Sequence, residues 1–250
     1  MKKIFISVLA LLALVIASGA NAKTIRIGTE GAYPPWNNLN AAGELEGAEI
    51  DFGNEACIRM NADCEWVTQD WDGIIPALLN GKYDIIIAGM SITEERKKKV
   101  NFTNGYMTDG IRFAALKSSN LGSIGTNWSG SQTKKVNLSN PTGKELAAIA
   151  QLNTALEGKI VGAQGATTHQ NYVEKYMQGA VEMRLYQTMD DLHLDLAAGR
   201  IDAAIGDVGS LLDFMATDEG KEVTMFGPNL SGDVLGDGVG GAVRKEDTDI

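Results

Sequence analysis

Two stretches of this chain repeat the same order of elements, and that repeat limits the fold more than any other feature of the sequence. Residues 72–81 and 190–199 both read as a helix ending in glycine, the usual C-cap, and each is followed by a short turn and an apolar strand. The turns are Lys82-Tyr83-Asp84 and Arg200-Ile201-Asp202. The repeat predicts two related lobes, although a basic-x-Asp turn is common enough to occur twice by coincidence.

Apolar strands alternate with helical segments along most of the chain. Strands are expected at 24–29, 64–69, 83–89, 159–164, 181–186 and 201–207, and helices at 51–60, 72–80, 168–177 and 190–198. Strand–helix–strand order favours parallel pairing, so we predict an α/β fold of two lobes, each a mostly parallel sheet flanked by helices. Aligning the glycine caps places Gly89 opposite Asp207, at strand carboxyl ends, where such sheets bind ligands.

Residues 1–22 have the pattern of a cleavable export signal. Lys2 and Lys3 precede an apolar stretch at 4–17, and Ala20-Asn21-Ala22 fits the small-x-small cleavage site. The apolar stretch is shorter than the ~20 residues that a membrane span needs. We therefore expect a mature protein in the periplasm, without direct membrane insertion.

The chain is acidic, with a formal net charge of −10, and loss of Lys2 and Lys3 would make it more negative. A surface of that sign repels nucleic acid and anionic lipid. Neither is expected as a partner.

The sequence contains two cysteines, Cys57 and Cys64. In an oxidising compartment they are expected to form one short disulfide, worth roughly 2 to 3 kcal/mol by the chain-entropy relation. A redox or metal pair is the alternative, but the spacing is not Cys-x-x-Cys and no histidine lies nearby in the sequence.

The segment from Ser91 to Arg96 points to an anion site. Ser91 followed three residues later by Glu94 is a capping-box pattern, which predicts a helix that starts here with free N–H groups. Such a helix end attracts anions, and Arg96 one turn in can hold a carboxylate by two hydrogen bonds. The alternative is a solvated basic helix, because three lysines follow at 97–99.

Glu30 and Tyr33 follow the first predicted strand, again at a strand carboxyl end. Together with Trp71, Tyr33 could enclose a flat cation or an aliphatic chain. The alternative is that both rings pack at an edge, against Pro34 and Pro35.

Signals for catalysis or metal binding are weak. The sequence has only 2 histidines, too few for a histidine-rich metal site, and it has no Gly-x-Ser-x-Gly motif. No cofactor is expected. His193 is expected to be a partly buried helix residue, whereas His169, beside the helix start at Thr167 and Thr168, could contact a ligand.

Five segments together resemble a known family. They are Gly28-Thr-Glu-Gly-Ala-Tyr-Pro-Pro-Trp36, Trp71-Asp-Gly-Ile-Ile-Pro-Ala-Leu78, Ser91-Ile-Thr-x-x-Arg96, Ala198-Gly-Arg-Ile-Asp-Ala203 and Gly236-Asp-Gly-Val-Gly240. The chain resembles the polar amino acid binding proteins of ABC importers, most nearly the binders of lysine, arginine, ornithine and histidine and the related octopine and nopaline binders. The resemblance covers nearly all of the mature chain and implies a two-lobed periplasmic binding protein fold of type II with two hinge crossings.

The resemblance also implies roles at one end of a ligand site. Arg96 would bind the ligand α-carboxylate, assisted by Ser91 and by the helix start at Thr167 and Thr168. Asp207 would bind the α-amino group.

For the rest of the site, the resemblance implies that Tyr33 and Trp71 enclose the ligand side chain and that Glu30 receives its distal cation. Ala88, Gly89 and Gln164 complete the expected set. Glu30 stands where lysine and histidine binders usually carry aspartate. Ala88-Gly89 stands where they carry two serines that help to fix the α-amino group, which leaves room for a substituted nitrogen such as an opine carries. An expected insertion at 118–156 also resembles the opine binders.

We expect lobe one at 23–110 and 239–250 and lobe two at 111–238. Family members continue past Ile250 into helices, so the C-terminal part of lobe one is expected to be missing. The implied function is capture of a cationic amino acid or a guanidino opine by a monomer that delivers it to an inner-membrane ABC permease. The alternative is a periplasmic enzyme on the same fold, similar to cyclohexadienyl or arogenate dehydratases, with Glu30 as general acid.

Overall fold

The structure is a computed structural model that describes residues 24–124 and 135–248. The expected export signal and the middle of the expected insertion lie outside the described residues. Within the described ranges, no helix is long and apolar enough to cross a membrane. The same ranges contain no group of His, Cys, Asp and Glu side chains that could hold a metal ion.

The regular elements alternate along the chain. The strands are β1 Thr24–Thr29, β2 Ala32–Tyr33, β3 Asn37–Leu39, β4 Leu45–Glu46, β5 Asp63–Thr68, β6 Ile85–Ile86, β7 Asn101–Phe102, β8 Ile111–Leu116, β9 Lys135–Asn137, β10 Ile160–Gln164, β11 Glu182–Tyr186, β12 Ala203–Asp207, β13 Val223–Ser231 and β14 Ala242–Val243. The helices are α1 Ala48–Met60, α2 Ile74–Leu79, α3 Glu94–Lys97, α4 Asn120–Ile124, α5 Gly143–Leu156, α6 Thr168–Tyr176, α7 Met189–Ala197 and α8 Val208–Met215. Single 3₁₀ turns cover Trp71–Gly73 and Asp233–Leu235.

Two large sheets form the two lobes. The first has the order β5-β1-β6-β14-β7, in which β5, β1 and β6 are parallel and β14 is antiparallel to both of its neighbours. The second has the order β11-β10-β12-β8-β13-β9, in which β11, β10 and β12 are parallel and β8 is antiparallel to both of its neighbours. The predicted α/β fold of two lobes is confirmed, with three parallel strands in each lobe coming from the predicted strand–helix–strand units.

The repeated turn has the same hydrogen bonds in both lobes. Asp84 N donates to Arg26 O at 2.8 Å and its Oδ2 accepts from Arg26 N at 3.0 Å. Asp202 N donates to Ile160 O at 2.9 Å and its Oδ2 accepts from Ile160 N at 2.8 Å. The glycines before the two turns, at 81 and 199, both have a left-handed backbone, with φ of +75° and +68°. The repeat is therefore a structural one and not a coincidence of composition.

Burial explains why the predicted elements form. In β1 the side chains of Ile25 and Ile27 are buried, and Ile27 pairs in register with Ile85 of β6. Helix α5 begins with a complete capping box between Thr142 and Glu145, and its buried face packs in the lobe-two core. The expected disulfide between Cys57 and Cys64 is present and ties the end of α1 to β5.

Several elements have no predicted counterpart, among them β8, α8 and β13. Strand β13 contains Gly227 and Pro228, which read as a turn, and its pairing with β8 shifts register between Phe226 and Leu230. Helix α8 follows β12 without any intervening loop. The strand expected at 83–89 is shorter than predicted, because only Ile85–Ile86 pairs as a strand.

Within residues 24–124 and 135–248, the chain passes between the two sheets twice, after β7 and after β13. The two crossing segments pair with each other, since Tyr106 N donates to Val239 O and Val239 N donates to Met107 O, each at 2.9 Å. The lobe boundaries expected at 110 and 239 lie within or beside these segments and stay predictions.

Candidate functional site

A cavity with about 320 Å³ of empty space lies where the two lobes meet. Its walls come from the loops after β1, β5 and β6, from the ends of β10 and β12, and from the starts of α3 and α6. The structure brings together every residue of the expected set and adds His169: the lining residues are Glu30, Tyr33, Trp71, Ala88, Gly89, Ser91, Arg96, Gln164, Thr167, Thr168, His169 and Asp207. That they bind a ligand stays a prediction.

The helix that carries Arg96 starts later than expected. Its N-cap is Thr93, whose Oγ1 accepts a hydrogen bond from Arg96 N at 3.1 Å. The expected capping box at Ser91 is therefore wrong, because the backbone of Ser91 instead forms a β-bridge with Val239 of the second crossing. Thr93 lies three residues before Arg96, which is the spacing that an N-cap side chain needs.

The Arg96 side chain points into the cavity. Its Nη1 donates to Ser91 O at 3.0 Å, and its Cζ lies 5.2 Å from the centre of the Trp71 ring. Burial lowers the pKa of Arg96 to about 10, although the charge of Asp207 opposes that shift. The guanidinium is therefore charged at neutral pH and is held ready for an anion.

The neighbouring lysines behave differently from Arg96. Lys97 and Lys98 are exposed and pair with Glu94 at 2.8 Å and Glu95 at 2.5 Å. They form the solvated basic face that was the alternative reading of this segment, while Arg96 alone lines the cavity from this helix.

Asp207 lies at the lobe-two side of the cavity between two partners. The Tyr33 hydroxyl, from lobe one, donates to Asp207 Oδ2, and His169 Nε2 lies 3.1 Å from the same oxygen. Burial acts to raise the pKa of Asp207, but His169 and the Tyr33 hydroxyl outweigh it and hold that pKa below its usual value. Asp207 is therefore an anion, as the recognition of an ammonium group requires.

Glu30 is a second acidic side chain in the cavity wall, and its surroundings differ from those of Asp207. Its Oε1 accepts a hydrogen bond from Gln164 Nε2 across the lobes at 2.7 Å. Burial raises the pKa of Glu30 to about 8 despite that hydrogen bond, and the charges of Asp190 and Asp70 add to the rise. Glu30 is thus mostly protonated at neutral pH and would ionise when a cation arrives.

The rings of Tyr33 and Trp71, which are expected to enclose the ligand side chain, lie in the cavity wall. Tyr33 and Trp71 are both buried, and Trp71 Nε1 donates to Ala166 O of lobe two at 3.1 Å. Both rings therefore also hold the two lobes together.

The cavity floor at Ala88 and Gly89 carries no polar side chain. Gly89 has φ of +61°, and a Cβ there would lie 2.9 Å from Tyr33 Cε1. Glycine at this position is therefore needed for the placement of the Tyr33 ring as well as for the turn.

Sequence reasoning missed Glu49, a buried carboxylate behind the floor. It accepts hydrogen bonds from Gly89 N and Asn37 Nδ2, both at 2.7 Å, and from the Tyr106 hydroxyl. In sequence, Glu49 is only an acidic residue in the first turn of α1, a position that is common on helix surfaces. It fixes Gly89 without lining the cavity.

Comparisons with known proteins point to one family of binding proteins. The model of the bacterial extracellular solute-binding proteins, family 3, matches residues 25–160. The chain is 36% identical to the octopine-binding periplasmic protein of Rhizobium meliloti, over 94% of this chain and 79% of the relative. It is also 36% identical to the L-arginine-binding protein of Pseudomonas aeruginosa, over 100% of this chain and 87% of the relative. A solved ancestral arginine-binding protein bound to arginine superposes with a TM-score of 0.73 at 30% identity, covering 91% of this chain and 87% of that one.

Proposed function

Because the chain belongs to family 3 of the bacterial extracellular solute-binding proteins, we propose that it captures a cationic amino acid of the arginine type or a guanidino opine for an ABC importer. The observation that carries this proposal is the set of charges around one interlobe cavity: a buried guanidinium at Arg96, an ionised carboxylate at Asp207 and a protonatable carboxyl at Glu30.

Arg96 and Asp207 fit the two charged groups of an amino acid. The Arg96 fork suits a carboxylate because guanidinium and carboxylate can form two parallel hydrogen bonds. Asp207 suits an ammonium group, which supplies the positive charge that a buried aspartate needs. The charge of Asp207 also acts on Arg96, which is consistent with both groups serving the same end of a ligand.

Glu30 fits a distal cation. Its electrostatic neighbours are Asp190 and Asp70, so that end of the cavity is acidic and attracts positive charge. A neutral ligand would leave Glu30 protonated and hydrogen-bonded to Gln164 and would gain nothing from it. This favours arginine, lysine or ornithine, or an arginine-derived opine, over glutamine.

The choice between a free amino acid and an opine depends on the cavity floor. Ala88 and Gly89 offer no hydroxyl to a primary ammonium group, which supports a substituted nitrogen. The relatives include binders of both kinds, an octopine-binding and an L-arginine-binding protein. Both ligand classes therefore belong in the first binding experiment.

The remaining parts of the proposal concern the setting of the protein. We propose that residues 1–22 are removed on export, that the mature chain acts as a monomer in the periplasm, and that an inner-membrane permease receives the ligand. The periplasmic location of the relatives supports the extracytoplasmic setting.

The test is a calorimetric screen of arginine, ornithine, lysine, histidine, glutamine, octopine and nopaline. At least one guanidino ligand should bind ten or more times as tightly as glutamine, a gap of ~1.4 kcal/mol. Binding should also raise the melting temperature, because ligand at 100 times its Kd adds ~2.7 kcal/mol of stability. Glutamine binding as tightly as every cationic ligand would contradict the proposal.

One observation keeps an enzymatic alternative testable. A carboxyl with its pKa near 8, as at Glu30, is what a general acid requires. Prephenate and arogenate should nevertheless remain unconverted in the presence of the purified protein. If the protein consumes either substrate and Glu30→Gln abolishes that activity, the protein is a dehydratase and the binding proposal is wrong.

A further inference from the structure

Asp207 occupies the N-cap position of α8 but does not cap the helix. An N-cap aspartate normally accepts a hydrogen bond from the N–H two or three residues further on. The side chain of Asp207 makes no such bond. Its Oδ2 instead faces the Tyr33 hydroxyl and His169 in the cavity.

The first turn of α8 is capped by the first crossing segment instead. Asp109 Oδ2 accepts a hydrogen bond from Gly209 N at 2.9 Å, and Gly110 O accepts one from Val208 N at 2.8 Å. Asp109 Oδ1 accepts from Gly110 N at 2.7 Å, which fixes the orientation of the carboxylate. The donor that Asp207 would take as a cap is therefore already satisfied.

We infer that Asp109 is a positioning residue for ligand recognition: by capping α8 in place of Asp207, it leaves the Asp207 carboxylate free to face the ligand's ammonium group. This inference rests on the proposed role of Asp207. Asp109 itself does not line the cavity.

The packing around Gly209 supports the role of Asp109 as the cap of α8. A Cβ at residue 209 would lie 2.4 Å from Trp36 Cζ2 and 2.8 Å from Asp109 Oδ2. Glycine therefore allows the crossing segment to approach α8 closely enough for Asp109 to act as its cap. A side chain more than ninety residues earlier in the sequence thus replaces the local one.

Removal of Asp109 should free Gly209 N to compete for Asp207. The N–H groups of an uncapped helix end need an acceptor, and the side chain at the N-cap position is the nearest one. Asp207 would then turn away from His169 and the cavity to cap its own helix. The variant should therefore lose binding energy at the ligand's amino group, while its contacts with the ligand's carboxylate and guanidinium should remain.

The experiment compares two ligands that differ only in that amino group. Arginine and 5-guanidinopentanoate, which lacks the α-amino group, are titrated calorimetrically into the wild type, Asp207→Ala, Asp109→Ala and Asp109→Asn. In Asp109→Ala, arginine should bind at least tenfold more weakly, while 5-guanidinopentanoate should change by less than threefold. Asp109→Asn can still accept from Gly209 N with its amide oxygen, so it should stay nearer to the wild type than to Asp109→Ala.

Controls separate this inference from the proposed function. Asp218→Ala, at an exposed aspartate of lobe two, should alter neither affinity. If the wild type does not prefer arginine over 5-guanidinopentanoate, or if Asp207→Ala keeps that preference, the role proposed for Asp207 fails. If Asp207→Ala loses the preference but Asp109→Ala keeps it, or weakens both ligands equally, the inference about Asp109 fails alone. If Asp109→Ala does not fold, Asp109→Glu takes its place, because its longer side chain misplaces the acceptor. The same two quantities are then compared with the wild type, namely the affinity for arginine and the affinity for 5-guanidinopentanoate.

Discussion

Arg96 is one of four consecutive basic residues, yet it alone among them lines the cavity. Its hydrogen bond to Ser91 O and its position over the Trp71 ring hold the guanidinium inward. If it pairs with the ligand carboxylate, Arg96→Ala leaves that carboxylate buried without a partner and should weaken binding by roughly 2 to 5 kcal/mol. Arg96→Lys should recover only part of the loss, because an ammonium group cannot form the two-pronged contact.

Calorimetry with arginine measures both effects. Lys97→Ala is the matched control, since Lys97 is exposed on the same helix and pairs with Glu94. A loss of less than threefold in Arg96→Ala would place the carboxylate elsewhere in the cavity.

Glu30 should couple ligand binding to a proton. Its pKa of about 8 means that the carboxyl is protonated below that pH, and a bound cation favours the ionised form. Binding of arginine should therefore release a proton below about pH 8, and affinity should rise with pH by up to tenfold per unit until it levels near pH 8. Glutamine, which carries no distal cation, should show no such slope from this group.

The measurement is arginine binding at about pH 6, 7 and 8 in buffers with different ionisation enthalpies. Glu30→Gln should remove the proton release, flatten the slope and narrow the gap between arginine and glutamine. An unchanged slope in Glu30→Gln would show that Glu30 is not the group that releases the proton.

Part of the site could be predicted from the strand pattern, because strands with parallel neighbours end at one edge, whereas Ala88 and Gln164 entered the expected set only through the resemblance to the family. Glu30, Gly89 and Asp207 all follow or end such strands, so their meeting follows from the fold. The local cap was misplaced, because Ser91 and Thr93 both suit an N-cap and only the bridge to Val239 decides between them. Asp109 leaves no local signal, since its partner Gly209 lies 100 residues away.

At the level of elements, the two related turns differ in the hydrogen bonds and ion pairs that their aspartates form. Asp84 accepts from Arg26 Nη2 at 2.8 Å and from Arg244 Nη2 at 3.3 Å, in addition to the Arg26 backbone. Partial burial acts to raise the pKa of Asp84, but these hydrogen bonds lower it to about 2. Asp202 has the backbone bond to Ile160 N and a more distant lysine, Lys159 at 3.7 Å.

Asp84→Ala should therefore destabilise the protein more than Asp202→Ala at pH 7. The lowered pKa corresponds to roughly 1 to 2 kcal/mol after allowance for its contact with solvent. A depressed folded-state pKa stabilises above the unfolded value near 4, and the contribution is lost as pH falls through about 2. Urea midpoints at neutral and acidic pH test this, and a difference between the two variants that persists at about pH 2 would contradict the electrostatic origin.

Helices and parallel strands with regular patterns were predictable, whereas the antiparallel strands β8 and β13 were not. The predicted strands 24–29 and 159–164 differ from β1 and β10 by at most one residue at either end. Strand β13 escaped prediction because Gly227 and Pro228 read as a turn, while in the sheet they lie where its register with β8 shifts. Partners that are far apart in sequence, and not local preference, hold such a strand.

In the whole molecule, hydrogen bonds at several places hold the two lobes together. Three of them are made by residues of the cavity wall: Tyr33 bonds to Asp207, Gln164 to Glu30 and Trp71 to Ala166. A further hydrogen bond lies outside the cavity, from Gln187 Nε2 in lobe two to Asp70 Oδ2 in lobe one at 3.2 Å. This bond stabilises the closed arrangement without any part in the lining of the cavity.

Gln187→Ala should therefore reduce the affinity for every ligand by the same factor. The ligand stabilises the closed arrangement, and a loss of contact that favours closure reduces the competent fraction whatever the ligand is. For an exposed hydrogen bond we expect roughly 0.5 kcal/mol, about a twofold loss, equal for arginine, lysine and glutamine. The backbone carbonyl of Gln187, which accepts from Gln164 Nε2 at 3.0 Å, is untouched by this substitution. Gln151→Ala, at an exposed glutamine of α5, is the matched control and should change no affinity. A loss that differs by threefold or more between arginine and glutamine would show that Gln187 acts on the ligand's distal group, through Gln164 and Glu30, and not on closure.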